Sequence, residues 1–93
     1  MSAHYVSLQT NTLTAGNGDA GLVQSLLVNL DGSGSVCLDV AGNTANSFFQ
    51  LDNINIGVLS IVQASVPAMS SDNGGVTVAA NGTISTNCSF PAP

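Results

Sequence analysis

The fold is decided by residues 22–40, which read LVQSLLVNLDGSGSVCLDV. Apolar residues recur at every second position on both sides of a Gly/Ser-rich centre, and this period of two is typical of β-strands with one buried face. One face of the first segment carries Leu22, Gln24, Leu26, Val28 and Leu30, and one face of the second carries Val36, Leu38 and Val40. A five-residue loop over Asp31–Ser35 would set Leu30 opposite Val36. The stretch therefore predicts an antiparallel hairpin whose apolar faces match.

Strand patterns continue on both sides of this hairpin, whereas helix signals are poor. Gly, Asn, Asp and Ser clusters separate the apolar segments, and Glu, Lys and Arg are absent from the chain. The predicted strands are His4–Thr10, Leu22–Leu30, Val36–Val40, Ser47–Leu51, Ile54–Val66, Val76–Ala79 and Thr83–Phe90. Short strands of this kind predict an all-β fold, namely a small antiparallel β-sandwich or jelly-roll-like domain with an extended N-terminal arm.

Two of these segments leave a choice open. Ile54–Val66 alternates as a central strand, but it also follows a helical period; Gly57 and the many β-branched residues favour the strand. At the last pair, a three-residue loop over residues 80–82 would set Val78 opposite Ile84, and we prefer it to a two-residue turn.

The chain divides by composition into two parts. Residues 1–21 form an N-terminal arm or edge strand followed by a Gly/Asn linker, and residues 22–93 form the β-sandwich domain. A strand on a flexible linker can pair with the edge of its own sheet or with the edge of a neighbouring molecule.

Charge is nearly absent. The 93 residues include five Asp and no Glu, Lys or Arg, which gives a net charge of −5. Phosphate neutralisation requires Lys or Arg, so nucleic acid is excluded as a partner, and polybasic membrane docking is excluded for the same reason. No apolar run has the roughly 18 residues that membrane insertion needs. Ser, Thr, Asn and Gln supply 33 residues and therefore most of the polar surface.

The cysteines Cys37 and Cys88 are the candidates for a disulfide. Neither belongs to a Cys/His cluster, so we expect no zinc site. Because Cys37 alternates with Val36 and Leu38, it points away from the apolar face of its strand. It is therefore either covered on that side and paired within the chain, or exposed and paired with a neighbouring molecule; two reduced thiols are the alternative. Asn81 and Asn87 begin N-x-S/T sequons and are glycosylation candidates.

The sequence contains few residues that could form a catalytic or metal-binding site. His4 is the only imidazole and lies close to the N-terminus, which is a poor platform for a Ser-His-Asp site with Asp39 or Asp52. The oxygen-rich loop Asp31–Ser35 lacks the further carboxylates of a calcium site. We therefore predict no enzyme activity, no catalytic or metal-binding residues and no cofactor.

The function expected from these features is structural. In composition the chain is similar to subunits of extracellular fibres, pili and surface coats. We predict a subunit that assembles with copies of itself at the cell surface or outside the cell, through β-edge pairing and apolar faces. The assembly candidates are Tyr5, Val6, Leu8, Leu27, Leu59 and Ile61. The alternatives are a lectin-like module with carbohydrate as its partner and a virion decoration protein. In the lectin-like module the aromatic candidates are Tyr5, Phe48, Phe49 and Phe90, although phenylalanines in strands more often belong to the core.

Overall fold

The computed structural model describes residues 3–14 and 24–90, which form nine β-strands and one α-helix. The strands are β1 (Ala3–Gln9), β2 (Thr12–Leu13), β3 (Leu26–Leu30), β4 (Ser35–Ala41), β5 (Thr44–Ala45), β6 (Phe49–Asn53), β7 (Val58–Ile61), β8 (Val78–Asn81) and β9 (Ile84–Ser85). The helix α1 spans Val66–Asp72 and lies between β7 and β8.

The strands form three sheets, and each sheet takes its members from successive passes of the chain. The sheet orders are β1-β4-β7-β9, β2-β5 and β3-β6-β8. Every strand pairing among the described residues is parallel. The chain therefore winds as a parallel β-solenoid. Its first coil holds β1 to β3, its second β4 to β6, its third β7, α1 and β8, and β9 begins a fourth.

The structure consists mostly of β-strands, as predicted, with one short helix. The predicted antiparallel direction is wrong, and the predicted sandwich is not confirmed. Val36 pairs with His4 and Leu59 in the neighbouring coils, not with Leu30 across a hairpin. Ile84 likewise pairs with Leu59 and not with Val78. In each case the connecting loop turns a corner into the next sheet. Alternating burial has the same period in both strand directions, so the pattern within a segment did not reveal its pairing.

The hydrophobic core fills the space between the three sheets. Inward-facing side chains of the second coil are completely covered: Leu38 and Val40 are each 1% exposed, and Phe49 and Leu51 are 0% exposed. Met69 of α1 is also buried, so the helix closes the side of the third coil where the second sheet has no strand.

A ladder of asparagine side chains runs through the corner between the first and second sheets. The Asn43 side chain donates to Asn73 Oδ1 at 2.8 Å, and Asn43 Oδ1 accepts from the Asn11 backbone at 2.9 Å. Asn43 also donates to the Leu8 carbonyl at 2.9 Å. Asn43 and Asn73 are each 2% exposed, so these bonds satisfy amides that water cannot reach and hold three coils in register.

The predicted strand Ile54–Val66 is mostly not a strand. Only residues 58–61 pair in a sheet, and Val66 begins α1. Ser65 caps this helix, because its side-chain oxygen accepts a hydrogen bond from the Ala68 N–H at 3.1 Å. Pro67 fits the first turn, where its missing N–H costs nothing. The predicted strand Thr83–Phe90 is also reduced to β9.

Residues 86–90, which we call the strap, fold back over the outer face of the four-stranded sheet. Asn87 adopts a positive φ of 61°, and Cys88 N–H donates to the Ile61 carbonyl at 3.1 Å. Cys88 forms a disulfide with Cys37, and Phe90 packs edge-on against Tyr5 with ring centroids 5.4 Å apart. The predicted disulfide is confirmed as a bridge within the chain, and Cys37 does point away from the core side of β4.

Candidate assembly surface

One end of the solenoid presents unpaired strand edges. Each strand of the first coil is the terminal member of its sheet: β1 pairs with β4, β2 with β5 and β3 with β6. The opposite edges of these three strands have no partner strand in the part of the chain that the structure describes. We call this surface the open end. Its longest edge is β1, with seven residues.

The core layer behind the open end is uncovered. Val6 occupies the same inward row as its register partner Leu38, yet Val6 is 46% exposed and Leu38 only 1%. Leu26 and Val28 are partly exposed, whereas their register partners Phe49 and Leu51 are buried. Within residues 3–14 and 24–90, coils lie on both sides of the second coil but only on one side of the first. The exposed side chains are therefore core residues that lack one neighbour.

Nothing in β1 blocks further pairing. Natural sheets commonly protect an edge with lysine, proline or an inward charge. Residues 3–9 read AHYVSLQ and contain no proline, lysine or carboxylate. Asp39 lies one strand away, where it accepts a hydrogen bond from Gln9 Nε2 at 2.9 Å. The edge of β1 is thus a neutral template of N–H and C=O groups.

The predicted assembly residues divide into two groups. Val6 and Leu8 line the open end, with Leu8 only partly exposed, and Leu27 on β3 is 51% exposed. Tyr5 is 48% exposed but packs against Phe90 of the strap. The prediction of Leu59 and Ile61 as assembly residues is wrong, because both are 0% exposed in the core. Phe49 as a sugar-binding ring is wrong for the same reason, since it is also 0% exposed. In the parallel arrangement their row faces inward, and β7 leads directly into the corner before α1.

The segment predicted as an arm or edge strand is an edge strand of the molecule's own first sheet. All seven residues of β1 are in register with β4, from Ala3 opposite Ser35 to Gln9 opposite Ala41. The predicted linker, residues 15–21, lies outside the described residues.

A second exposed apolar group was missed by the sequence analysis. It lies on the corner between β6 and β7, where Ile54 is 57% exposed, Ile56 81% and Val58 48%. We call these three residues the corner patch. Polar residues alternate with the isoleucines in Asn53-Ile-Asn-Ile56, and this alternation is equally typical of a half-buried strand. Gly57 and the asparagines on both sides of Ile54 were the signals in the sequence that the segment is a surface turn.

The groups considered for chemistry lie apart from one another. No cluster of three or more His, Cys, Asp or Glu side chains that could hold a metal occurs among residues 3–14 and 24–90. His4 lies at the start of β1, and Asp52 binds the Gln50 and Asn81 side-chain amides at 2.8 Å. Both sequon asparagines are exposed, and Asn87 belongs to the strap. The helix of the described part has seven residues and is too short to cross a membrane.

No protein-family model matches this chain, and neither the curated proteins nor the solved structures include a match to it.

Proposed function

We propose that this protein is a non-enzymatic structural subunit that assembles with copies of itself through the open end. The observation that supports this proposal most strongly is a difference in exposure between two register partners. Val6 is 46% exposed, whereas Leu38 is only 1% exposed. A further strand layer on β1 would bury Val6 and its neighbours and pair the free backbone groups in the same step. Hydrophobic burial and hydrogen bonding therefore favour the same contact.

The best partner for the open end is the open end of a second copy. The other end of the molecule offers a poorer match, because α1 replaces the third strand of the second sheet and β9 has only two residues. A two-fold contact would pair β1 with β1 of the second copy in antiparallel fashion and bring the two uncovered core layers together.

The corner patch gives the same subunit a second contact surface. One two-fold contact produces only a dimer, whereas two separate self-contacts extend an assembly into a fibre or coat. Ile54, Ile56 and Val58 lie beyond the first coil, on the corner that leads into the third. Copies joined through both surfaces would alternate open-end and corner contacts.

The charge and the disulfide fit an extracellular location for such an assembly. A net charge of −5 gives weak repulsion between copies, and a sequence pI of about 4.1 means that this repulsion disappears in mild acid. The Cys37–Cys88 bridge is compatible with an oxidising compartment.

The experiment compares the size of the assemblies formed by four variants, using light scattering and negative-stain microscopy over a range of concentrations at pH 7 and pH 4.5. Val6→Lys places a cation in the open end, and Ile56→Lys places one in the corner patch. The third variant carries both substitutions. Ser71→Lys is the matched control, since Ser71 is an exposed residue of α1 and the net charge changes equally.

We expect wild type and Ser71→Lys to form polymers, more readily at the lower pH. Each of the other single variants should stop at dimers, and the double variant should be monomeric. A wild-type protein that stays monomeric at every concentration and both pH values would refute the proposal. Assembly by Val6→Lys at the wild-type level would show that the open end is not a contact surface.

A further inference from the structure

A neutral groove lies between the second and third coils. It runs along the edge of β5 that is opposite to the edge paired with β2. Its volume is about 560 Å³, and it is lined by residues 43–48 of one coil and 73–77 of the next. The two coils are bonded at both ends of the groove, where Gly42 N–H donates to Asp72 O at 2.7 Å and Phe49 N–H donates to Thr77 O at 2.8 Å. Between these bonds the chains separate, because the third coil follows α1 and contributes no strand beside β5.

The free edge of β5 faces this groove. Thr44 N–H donates to Asn11 O at 2.9 Å and Asn46 N–H to Leu13 O at 3.3 Å, so both groups point to the first coil. In a parallel strand the intervening residue directs its N–H and C=O to the opposite side. Ala45 therefore presents a donor and an acceptor to the groove, and among the described residues these two groups have no hydrogen-bond partner.

The groove has the chemistry of a site for a neutral, hydroxyl-rich molecule. Its lining residues include the exposed threonines Thr44 and Thr77, which carry hydroxyl groups, and the half-buried aromatic residue Phe48. Opposite β5, Gly74 and Gly75 leave the backbone open, and a Cβ added at Gly75 would meet nothing within 4 Å. Among the described residues, no charged side chain lines the groove. Alternating hydroxyl donors and acceptors beside an aromatic ring complement the hydroxyl pairs and the C–H face of a sugar ring.

We propose that this groove binds a neutral saccharide, with Phe48 against a sugar face and the Ala45 backbone, Thr44 and Thr77 hydrogen-bonded to its hydroxyls. The volume lies within the range of roughly 300–1,000 Å³ that is usual for small-molecule sites. Acidic saccharides lack a cation to pair with here, so uronic acids are excluded. This inference is independent of assembly, because the groove and the open end use different residues.

A peptide is the less suitable occupant. A peptide that extends a sheet gains its affinity from a row of backbone hydrogen bonds and from pockets for alternate side chains. The β5 edge is two residues long and offers one free donor and acceptor pair.

The test is a nitrogen-15 NMR titration of the whole protein with tetrasaccharides of glucose, mannose, galactose, xylose and N-acetylglucosamine, and with tetragalacturonate as the acidic probe. We expect at least one neutral tetrasaccharide to shift the amides of Ala45, Gly74 and Gly75, and tetragalacturonate to leave them unchanged. Thr44→Val and Thr77→Val should each weaken that binding by about two- to tenfold. Phe48→Leu should weaken it by about tenfold.

Thr12→Val is the matched control, because Thr12 is the register partner of Thr44 in the first coil and lies outside the groove. Its affinity should equal that of wild type. The inference is overturned if no neutral tetrasaccharide shifts these amides at millimolar concentration. It is equally overturned if binding survives unchanged in both Thr44→Val and Thr77→Val, or if a tetrapeptide binds these amides while the saccharides do not.

Discussion

At the residue scale, two glycines determine how closely successive coils approach each other. A Cβ on Gly57 would lie 2.7 Å from the carbonyl oxygens of both Gly32 and Gly34 in the preceding coil. Gly82 has a φ of 77°, and a Cβ there would collide with the Asn53 carbonyl. Neither backbone obstacle can rotate away, so both corners require glycine.

We expect Gly57→Ala to lower the free energy of unfolding by about 1–3 kcal/mol, because the coils must separate to accept the methyl group. Urea denaturation followed by circular dichroism measures this change. Gly32→Ala is the control, since a Cβ at Gly32 has nothing within 4 Å; its stability should stay within about 0.5 kcal/mol of wild type. Equal stabilities of the two variants would contradict the close contact between these corners.

A substitution in the asparagine ladder should make the free energy of unfolding depend on pH. In Asn43→Asp, a carboxylate would face the Leu8 and Ala41 carbonyls, which now accept from the Asn43 amide at 2.9 and 3.2 Å. We expect a loss of about 3–5 kcal/mol at pH 7, because the buried charge would have no cation to pair with and one of its oxygens would face acceptors where the Asn43 amide now donates. Burial beside carbonyls raises the pKa of the new carboxyl in the folded state above its unfolded value of about 3.9. The deficit should therefore shrink as the pH falls through the raised pKa, since the protonated acid can donate one hydrogen bond.

The measurement is urea denaturation at intervals between pH 3.5 and pH 7, with wild type at each pH. Ala64→Asp serves as the control, because Ala64 is exposed and an Asp there would remain solvated. Its stability difference from wild type should change little over this range. A deficit in Asn43→Asp that grows in acid would rule out the buried ladder.

The side of the strand to which a residue points was predicted correctly where alternation within that one strand was enough to determine it. Val36, Leu38 and Val40 face the core of the solenoid, and Cys37 points to the other side, as their spacing indicated. The alternation could not distinguish the buried residues Leu59 and Ile61 from the exposed Val58 of the corner patch, because all three are apolar. Only the exposure in three dimensions shows that Val58 is 48% exposed and Leu59 is buried.

At the element scale, the strap ties the last described strand to the first two coils. Its disulfide joins residues 51 positions apart, and the Tyr5–Phe90 contact reaches the edge strand. The strap also covers Ser60, which is only 8% exposed on the outward row of β7. A disulfide that closes a loop of this length stabilises a small domain by about 4 kcal/mol, because it reduces the conformational entropy of the unfolded chain.

Reduction of the disulfide, or Cys37→Ser combined with Cys88→Ser, should lower the free energy of unfolding by about 4 kcal/mol. Amide exchange at residues 87 and 88 should accelerate, because their bonds to Gln63 O and Ile61 O depend on the strap. Before reduction, mass analysis should give single chains with no alkylatable thiol. Disulfide-linked dimers in that analysis would contradict an internal bridge.

The N-cap of α1 gives a smaller and local effect. Ser65→Ala removes the acceptor for the Ala68 N–H, and we expect a loss of about 1 kcal/mol in unfolding free energy. Thermal denaturation compares this variant with Ser71→Ala, which removes an exposed hydroxyl from the same helix. The melting temperature of Ser65→Ala should be lower than that of Ser71→Ala. Identical melting temperatures would mean that Ser65 does not stabilise the helix as its N-cap.

The helix was missed because most of its signals are weak. Val66–Asp72 carries no acidic residue in its first turn and no basic residue in its last. Ser65 followed two residues later by Pro67 was the available start signal, but it stood inside a longer β-branched segment that favoured a strand. Packing of Met69 into the core, where it is 0% exposed, outweighs the poor intrinsic helix propensity.

At the scale of the whole molecule, the solenoid could not be predicted because its coils differ in length. Ala3 pairs with Ser35, 32 positions later, whereas Ser35 pairs with Val58, 23 positions later. In the third sheet, Phe49 pairs with Val78 after 29 positions. No fixed period therefore marks the repeat. Its trace in the sequence is the similarity of Asn11-Thr12-Leu13 to Asn43-Thr44-Ala45, which occupy the same corner of successive coils.

The near absence of charge acts on the molecule as a whole. Parallel stacking places equivalent residues directly above one another, so a repeated charge would be set against its own copy in the next coil. The outward rows instead set each carboxylate beside neutral residues, as where Asp52 lies between Asn29 and Asn81. Elsewhere they stack neutral groups, as in Cys37, Ser60 and Ser85. The same neutrality at the open end leaves a second copy free to continue the stack.

The most direct test of this open-end hypothesis is hydrogen exchange at the β1 amides, measured by NMR or mass spectrometry as a function of protein concentration. The hypothesis predicts that protection of amides in residues 3–9 rises with concentration, while the already paired amides of β4 change little. The same rise should be absent in Val6→Lys. Exchange at β1 that is independent of concentration, in a sample whose scattering shows assembly, would contradict the open end as the surface through which copies meet.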